Sequence, residues 1–402
     1  MSRYDVVVVG GRVAGASTAL LLARAGARVA VVERGDLRRD PISTHALMRG
    51  GVLQLSRWGA LDRIVAAGTP PVRRTLFSYP DGERVQVSVR GTHGVDALYA
   101  PRRTLLDRVL LELAEDAGVD LHRRTEVTGV TRGADDRVAG VAARGPSGEH
   151  VLGADLVVGA DGVRSVVARE VDAPVLRRGR AAGGILYRYV RGLQATGYEW
   201  FYGHAAAAGV IPTNDEAACV FVSATAARVR RERMAGTERA FGSLLDAAAP
   251  GLRDVVDAST ARSPMRGWRG APGYMRQAWG RGWALVGDAG YFKDPISSHG
   301  ITDALRDAEL LAGAIGRATA GGVDAHRAMA AYQETRDRLS RALWEVTEEV
   351  AGYAWDTTRS RTLVRSMSAA MSDEVDHLAR LDDHAVLAAA STPGRPGVSS
   401  VA

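Results

Sequence analysis

The stretch Val6-Val7-Val8-Val9-Gly10-Gly11-Arg12-Val13-Ala14-Gly15-Ala16-Ser17 decides how the rest of the chain is read. Four valines without alternation suit a parallel strand covered on both faces. The glycines turn the chain, and Val13 opens a helix with Leu20, Leu21 and Leu22 as apolar positions and Gly26 as its stop. Arg28 to Glu33 reads as a second buried strand, which completes a βαβ unit. In that setting the glycines fall where a dinucleotide fingerprint, G-x-G-x-x-G, belongs. Position 12 is arginine, where the fingerprint has the glycine that lets backbone approach a pyrophosphate. Gly11 can absorb some of the strain and a guanidinium can fork onto phosphate oxygens, so the turn reads as a working variant.

The 402 residues are enough for two or three domains and a sizeable core. One cysteine, Cys219, rules out a disulfide framework and a cysteine-based metal cluster, and no metal site is expected. Val6 to Val9 is too short for a signal or membrane segment, so the expectation is a cytoplasmic protein without membrane insertion. The net charge of +6 raises the question of nucleic acid. Its densest basic run, Arg228 to Arg233, has no interleaved aromatic residues to stack on bases and reads as a solvated helix face. Of the 52 basic residues only Lys293 is lysine, in a chain where arginine otherwise serves everywhere.

Helical patterns recur at 46–57 and 102–117, and strand patterns at 119–123, 126–131, 137–143 and 154–159. Between 181 and 223 come short strands with turns, Gly184–Val190, Tyr198–Tyr202, Ala207–Ile211 and Ala217–Ser223, which read as an antiparallel sheet inserted as a second domain. Helices are expected at 225–247, a strand near Trp283–Val286, and helix from Gly300 to about 388. The tail from Ser391 is rich in Ser, Pro and Gly and reads as disordered.

Three later features support the first turn. Glu33, at the end of the second strand, can accept the ribose hydroxyls of an adenosine group. Asp155-Leu156-Val157-Val158-Gly159-Ala160-Asp161-Gly162 is a strand that delivers Asp-Gly to the carboxyl edge of the sheet. Trp283-Ala284-Leu285-Val286-Gly287-Asp288-Ala289 delivers Gly-Asp to the same edge and continues through Lys293-Asp294-Pro295 to Gly300 and Ile301.

In order and spacing these motifs resemble the FAD-dependent monooxygenases of the p-hydroxybenzoate hydroxylase type, over roughly residues 3–345. The match is to a bacterial branch with arginine in the first turn and a Lys-Asp-Pro loop. The resemblance implies an α/β fold: a Rossmann-like FAD-binding domain, an inserted antiparallel-sheet substrate domain and a helical C-terminal region. It divides the chain into FAD-binding parts at 1–75, 95–172 and 263–322, substrate-domain parts at 76–94 and 173–262, C-terminal helices at 323–390 and a tail at 391–402.

The family's roles fall on named positions. Gly10 and Gly15 shape the pyrophosphate turn, with Arg12 and Ala14 beside them, and the helix N-terminus faces the diphosphate. Glu33 holds the ribose, with Arg34 next to it, and Val127 joins the cofactor contacts. Arg103 opens an Arg-x-x-Leu helix and reaches phosphate or ribityl oxygens, with Arg102 as its competitor. Asp161 lies near the pyrophosphate, and Gly287 with Asp288 at the ribityl hydroxyls. Pro295, Gly300 and Ile301 bring a helix N-terminus to the flavin's pyrimidine edge, where it favours the anionic reduced ring. Ser298, His299 and Thr302 depart from the family's residues in that loop.

The candidate catalytic residues are His45, Lys293 and His299. Lys293 is either a point charge that tunes the flavin or a surface partner of Asp294. Tyr187, Trp200, Tyr202 and His204 are candidates for the wall of a substrate pocket.

The implied reaction places one oxygen atom of O2 on an aromatic or other electron-rich small molecule through a flavin C4a-hydroperoxide. NAD(P)H, or a flavin reductase, is the electron source, and the oligomeric state stays open. The rivals are a reductase of the geranylgeranyl reductase type, a halogenase and a silent flavin-binding protein. A halogenase needs a lysine between flavin and substrate and a Trp-x-Trp-x-Ile-Pro signature; the sole lysine here lies in the flavin loop and the signature is absent.

Overall fold

The computed structural model describes residues 3–321 and 323–381. The expected tail, and the helical region past 381, lie outside the described residues. The strand Arg3–Val9 runs parallel to Val29–Glu33 on one side and to Gly148–Gly159 on the other. Trp283–Leu285 and Asp120–Arg123 extend the sheet outward, also in parallel. Val6, Val7 and Val8 are fully buried, as a strand covered on both faces requires. Their side chains alternate. Val6 and Val8 pack with Leu20 of the first helix and Leu305 of the helix Gly300–Thr319. Val7 and Val9 pack with Val127, Val138 and Val141 of the hairpin on the other face.

Register sets the site. Val9 lies opposite both Val32 and Gly159, and Gly159 lies opposite Leu285. Four strands therefore end level, and the residues just past them, Gly10, Glu33, Asp161 and Asp288, emerge at one carboxyl edge. The first turn is tight enough to dictate its glycines. Gly10 has φ +102°, and a Cβ on Gly15 would lie 1.7 Å from the Gly10 carbonyl oxygen.

The second sheet runs from Ala261–Arg262 through Gly183–Arg191, Ala217–Thr225, Ala206–Pro212 and Tyr198–Gly203 to Arg74–Ser78 and Arg84–Ser88. It is antiparallel except at one seam, where Tyr198–Gly203 pairs in parallel with Arg74–Ser78. That exception follows from assembling the sheet out of two distant stretches of chain. Alternation again sorts the faces. Leu186 and Val190 pack under the helix Thr237–Ala248, whereas Ile185, Tyr187 and Tyr189 face the opposite way with Cys219 and Phe221.

Several elements differ from the expected ones. The strand expected at 154–159 begins at Gly148, because its first half pairs with Val138–Gly145. The helices expected at 225–247 are Ala226–Arg233 and Thr237–Ala248, separated at Gly236 with φ +105°. A short strand, Tyr291–Phe292, was not expected and pairs with Tyr274–Arg276. C-terminal helices span Ala325–Val350 and Thr357–Ala379.

The first turn yields a test. Gly15→Ala should destabilise the protein by about 1–3 kcal/mol or more, because its methyl meets rigid backbone. Gly300→Ala, with open space around its Cβ position, should stay within about 0.5 kcal/mol of wild type. Denaturant melts of the two variants provide the comparison.

Candidate functional site

A cavity of ≈ 640 Å³ opens between the carboxyl edge of the first sheet and the tyrosine-bearing face of the second. Most of the expected site residues border it: Gly10, Arg12, Ala14, Glu33, Arg34 and Arg103 toward one end, with Val127 and Asp161 beside them. Asp288, Lys293, Pro295, Gly300, Ile301 and His45 border it as well. Gly15 and Gly287 act from behind. Gly15 lets the helix close on the turn, and the Gly287 N–H donates to Asp307 Oδ2 at 3.1 Å.

The nucleotide end is built from backbone and carboxylates. Glu33 is 6% exposed; it accepts the Gly11 N–H at 2.7 Å and the Gly35 N–H as well. Arg12 and Arg103 are both held by Asp107, at 2.6 and 2.9 Å, and Asp107 is fully buried. The guanidinium expected to fork onto phosphate is thus tied first to a carboxylate that the sequence reading passed over. Its signal was present: Asp107 lies four residues after Arg103 on the same helix face. Arg102 does something else. It pairs with Asp40 and lies over the Tyr189 ring, 3.9 Å from its centroid. Asp161 accepts the Val166 N–H at 2.6 Å, and burial raises its carboxyl above the usual range. Asp288 is pushed up to about 6, by burial first and then by Asp303.

Behind the far end lies a buried ionic network. Lys293 is 5% exposed and its ammonium pairs with Asp303. This overturns the surface pair with Asp294, which is itself fully buried and accepts the N–H groups of Gly183 and Ile296 at 2.5 and 3.0 Å. Arg306, 1% exposed, reaches Asp303 at 3.0 Å, Asp307 at 2.8 Å and Glu374 at 2.7 Å. His299 does not border the cavity. Its Nε2 bonds Glu374 of the helix Thr357–Ala379, so the ring belongs to the support of the loop. Burial opposes ionisation of Glu374, yet His299 and Arg306 hold it down at about 2. Donor atoms of His299, Asp303 and Glu374 approach within 4.8 Å of one another, as metal ligands do. Lys293 and Arg306 already engage those carboxylates. Asp303, Arg306, Asp307 and Glu374 were all missed, although Asp303-Ala-Leu-Arg306-Asp307 is a charged step in an otherwise Ala- and Leu-rich helix.

On the second sheet, Tyr187 borders the cavity, joined by Ile185, Trp268 and Phe292. The other three expected wall residues lie elsewhere. Tyr202 packs against Tyr79 and Trp355, Trp200 against Tyr198 and Phe221, and His204 is exposed.

The N-termini of the helices Val13–Arg24 and Gly300–Thr319, both without side-chain caps, border this one cavity at Val13 and at Gly300. The first has no acidic residue in its first turn. Free N–H groups at a positive helix end suit a diphosphate at one end and an electron-rich ring at the other. With the buried Glu33 for a ribose, the residues present fit FAD.

The comparisons agree. The chain belongs to the FAD binding domain family, whose model matches residues 3–347. FAD is its cofactor. Its fold is that of the p-hydroxybenzoate hydroxylase-like monooxygenases and halogenases. The flavin-dependent brominase Bmp2 superposes with a TM-score of 0.77 over 94% of this chain and 93% of its own, at 19% identity. PqsL of P. aeruginosa, in complex with 2-aminobenzoylacetate, does so at 0.76 over 90% and 100%, at 24% identity. At these identities the likeness is one of fold. The digeranylgeranylglycerophospholipid reductase of Methanocella arvoryzae is 25% identical over 354 residues, 85% of each chain. No helix among the described residues is long and apolar enough to cross a membrane.

Two tests follow from the charges. Asp288→Ala should weaken FAD retention on dilution far more than His204→Ala does. In the apoprotein the raised carboxyl of Asp288 has a defined sign: its stabilising, protonated form is lost as pH rises through about 6. The melting-temperature advantage of Asp288→Asn over wild type should therefore grow between about pH 4 and 6 and level off above. The second test concerns Lys293. Lys293→Met should cost about 3 kcal/mol, because it removes one partner of a buried pair, and adding Asp303→Asn should recover part of that loss. A loss under about 0.5 kcal/mol would return Lys293 to the surface.

Proposed function

We propose that the chain is an FAD-dependent monooxygenase that inserts one oxygen atom of O2 into a small aromatic or otherwise electron-rich substrate. NAD(P)H, directly or through a flavin reductase, supplies the electrons. The observation that carries this reading is the continuity of one cavity from the nucleotide residues to an aromatic wall. Asp288 and Gly300 share it with Ile185, Tyr187, Trp268 and Phe292.

FAD, when bound, supplies the activation of O2. The chain's own part is to bind, orient and exclude water. Glu33, Asp288 and the first turn hold the cofactor. The uncapped N-terminus of the helix Gly300–Thr319 favours negative charge in the space that it faces. The apolar wall keeps that space dry, which strengthens every charge interaction within it. Lys293 adds a cation whose field Asp303 largely offsets.

A hydride-returning reductase is the second reading, favoured by the similarity to the Methanocella reductase over 85% of the chain. Oxygen separates the two. The FAD-loaded protein, supplied with NAD(P)H or with a flavin reductase, should consume O2 faster when an aromatic substrate is present. Labelled oxygen from 18O2 should appear in the product. Turnover of an alkene under anaerobic conditions, without label, would replace the monooxygenase reading with the reductase one.

A further inference from the structure

His45 has φ +68°, in the left-handed region, which is uncommon for a residue other than glycine, although His enters it more readily than most. Such a strained residue persists when its surroundings fix it, and it is a pointer to function. Here the surroundings are explicit. Ser43 N–H donates to Tyr187 OH at 3.2 Å, and His45 N–H donates to Ser43 Oγ at 3.1 Å. Arg102, paired with Asp40, covers the Tyr189 ring, on which the imidazole stacks with centroids 5.4 Å apart. The imidazole is 1% exposed and borders the cavity.

Its two nitrogens have different neighbours. Nε2 bonds the Tyr189 hydroxyl, whereas Nδ1 is buried without a hydrogen-bond partner. Burial raises Tyr189 far above the ordinary phenol range, so it keeps its proton. His45 is pushed down to about 3, by burial first, with Asp40 opposing and Arg103, Arg102 and Arg266 adding to it. The imidazole is therefore neutral. Among the described residues, His45 Nε2 is the acceptor that the Tyr189 proton has. That bond places the imidazole proton on Nδ1, the nitrogen without a partner.

Most of the surrounding cations are already bound; Arg164, exposed, also borders the cavity. Arg12 and Arg103 share Asp107, Arg102 has Asp40, Lys293 has Asp303, and Arg266 donates to the carbonyls of Asp40 and Pro41. A substrate carboxylate would find no dedicated partner among them. Among the described residues that border the cavity, a neutral oxygen acceptor finds two unpartnered side-chain N–H groups, His45 Nδ1 and Trp268 Nε1.

We propose that His45 Nδ1–H is the hydrogen-bond donor for a neutral oxygen, a conjugated carbonyl above all, on a substrate whose flat body lies against Ile185, Tyr187 and Trp268. The proposal rests on the monooxygenase reading for where a substrate sits. Tyr189 is a positioning residue that sets the tautomer.

Three probes test it with the FAD-loaded protein: acetophenone, ethylbenzene and benzoate, each titrated against the flavin absorption spectrum. Acetophenone should bind about 5-fold or more tighter than either of the others. In His45→Ala that preference should vanish, with FAD content and melting temperature measured alongside. His45→Asn should retain it, since Asn tolerates the left-handed conformation and keeps an N–H donor. A preference unchanged in His45→Ala, benzoate binding tightest, or no response to any probe would overturn the proposed substrate class. Histidine 15N spectra, assigned with His45→Asn, should show His45 neutral with its proton on Nδ1 between pH 5 and 8; a proton on Nε2 overturns the donor. A wild-type protein that takes up no FAD would instead sink the monooxygenase reading.

Discussion

Arg306 carries a full positive charge at 1% exposure, and a charge so far from water is tolerable only when opposite charges surround it. Three carboxylates meet that demand, and each comes attached to a different part of the molecule. Asp307 also receives the N–H of Gly287, so the turn that presents Asp288 is fixed in place. Asp303 shares its other oxygen with Lys293, which locates the Lys-Asp-Pro loop. Glu374 comes from the last described helix and also binds His299. Removing any one of them would leave the guanidinium short of compensation in a medium where charge interactions are strong.

The nucleotide end obeys the same logic with fewer groups. Asp107 binds both Arg12 and Arg103 and ties them along one wall. An arginine in a glycine's place is therefore accommodated by a partner 95 residues away rather than by the turn alone. The loop Asp40–Ala46 is pinned in a similar way, by tyrosines of the second sheet and by Arg102. Both ends of the cavity are thus shaped by contacts between stretches far apart in the sequence.

Local pattern made the first sheet legible. Parallel strands buried on both faces announce themselves as valine runs, and residues just past such strands gather at one edge. Gly10, Glu33, Asp161 and Asp288 could be placed together on that basis. What pattern does not contain is the partner of a charge. One of the two readings of Lys293 set it beside its neighbour Asp294, whereas burial sends it to Asp303, one turn into the next helix. His299 was read as a candidate catalyst because Glu374 lies 75 residues further on. Tyr202 and Trp200 were read as wall residues because strand alternation gives a face, but not which part of that face a neighbouring helix covers. The short strand Tyr291–Phe292 has too few residues for any period to show.

The placement of Glu374 has a consequence for how the molecule is made. The helix that bears it also packs on Gly50 through Val375 and Leu378, and its Leu378 carbonyl accepts from Arg57. An early segment of the chain, around Gly50 and Arg57, is therefore completed by nearly the last residues described. On the ribosome the glycine turn and its strands emerge first, but Arg306 and His299 lack one of their carboxylate partners until Glu374 has been released. Such a chain completes this ionic network only after synthesis has passed the other described elements, and a product shortened before Glu374 would carry the glycine motif without that support.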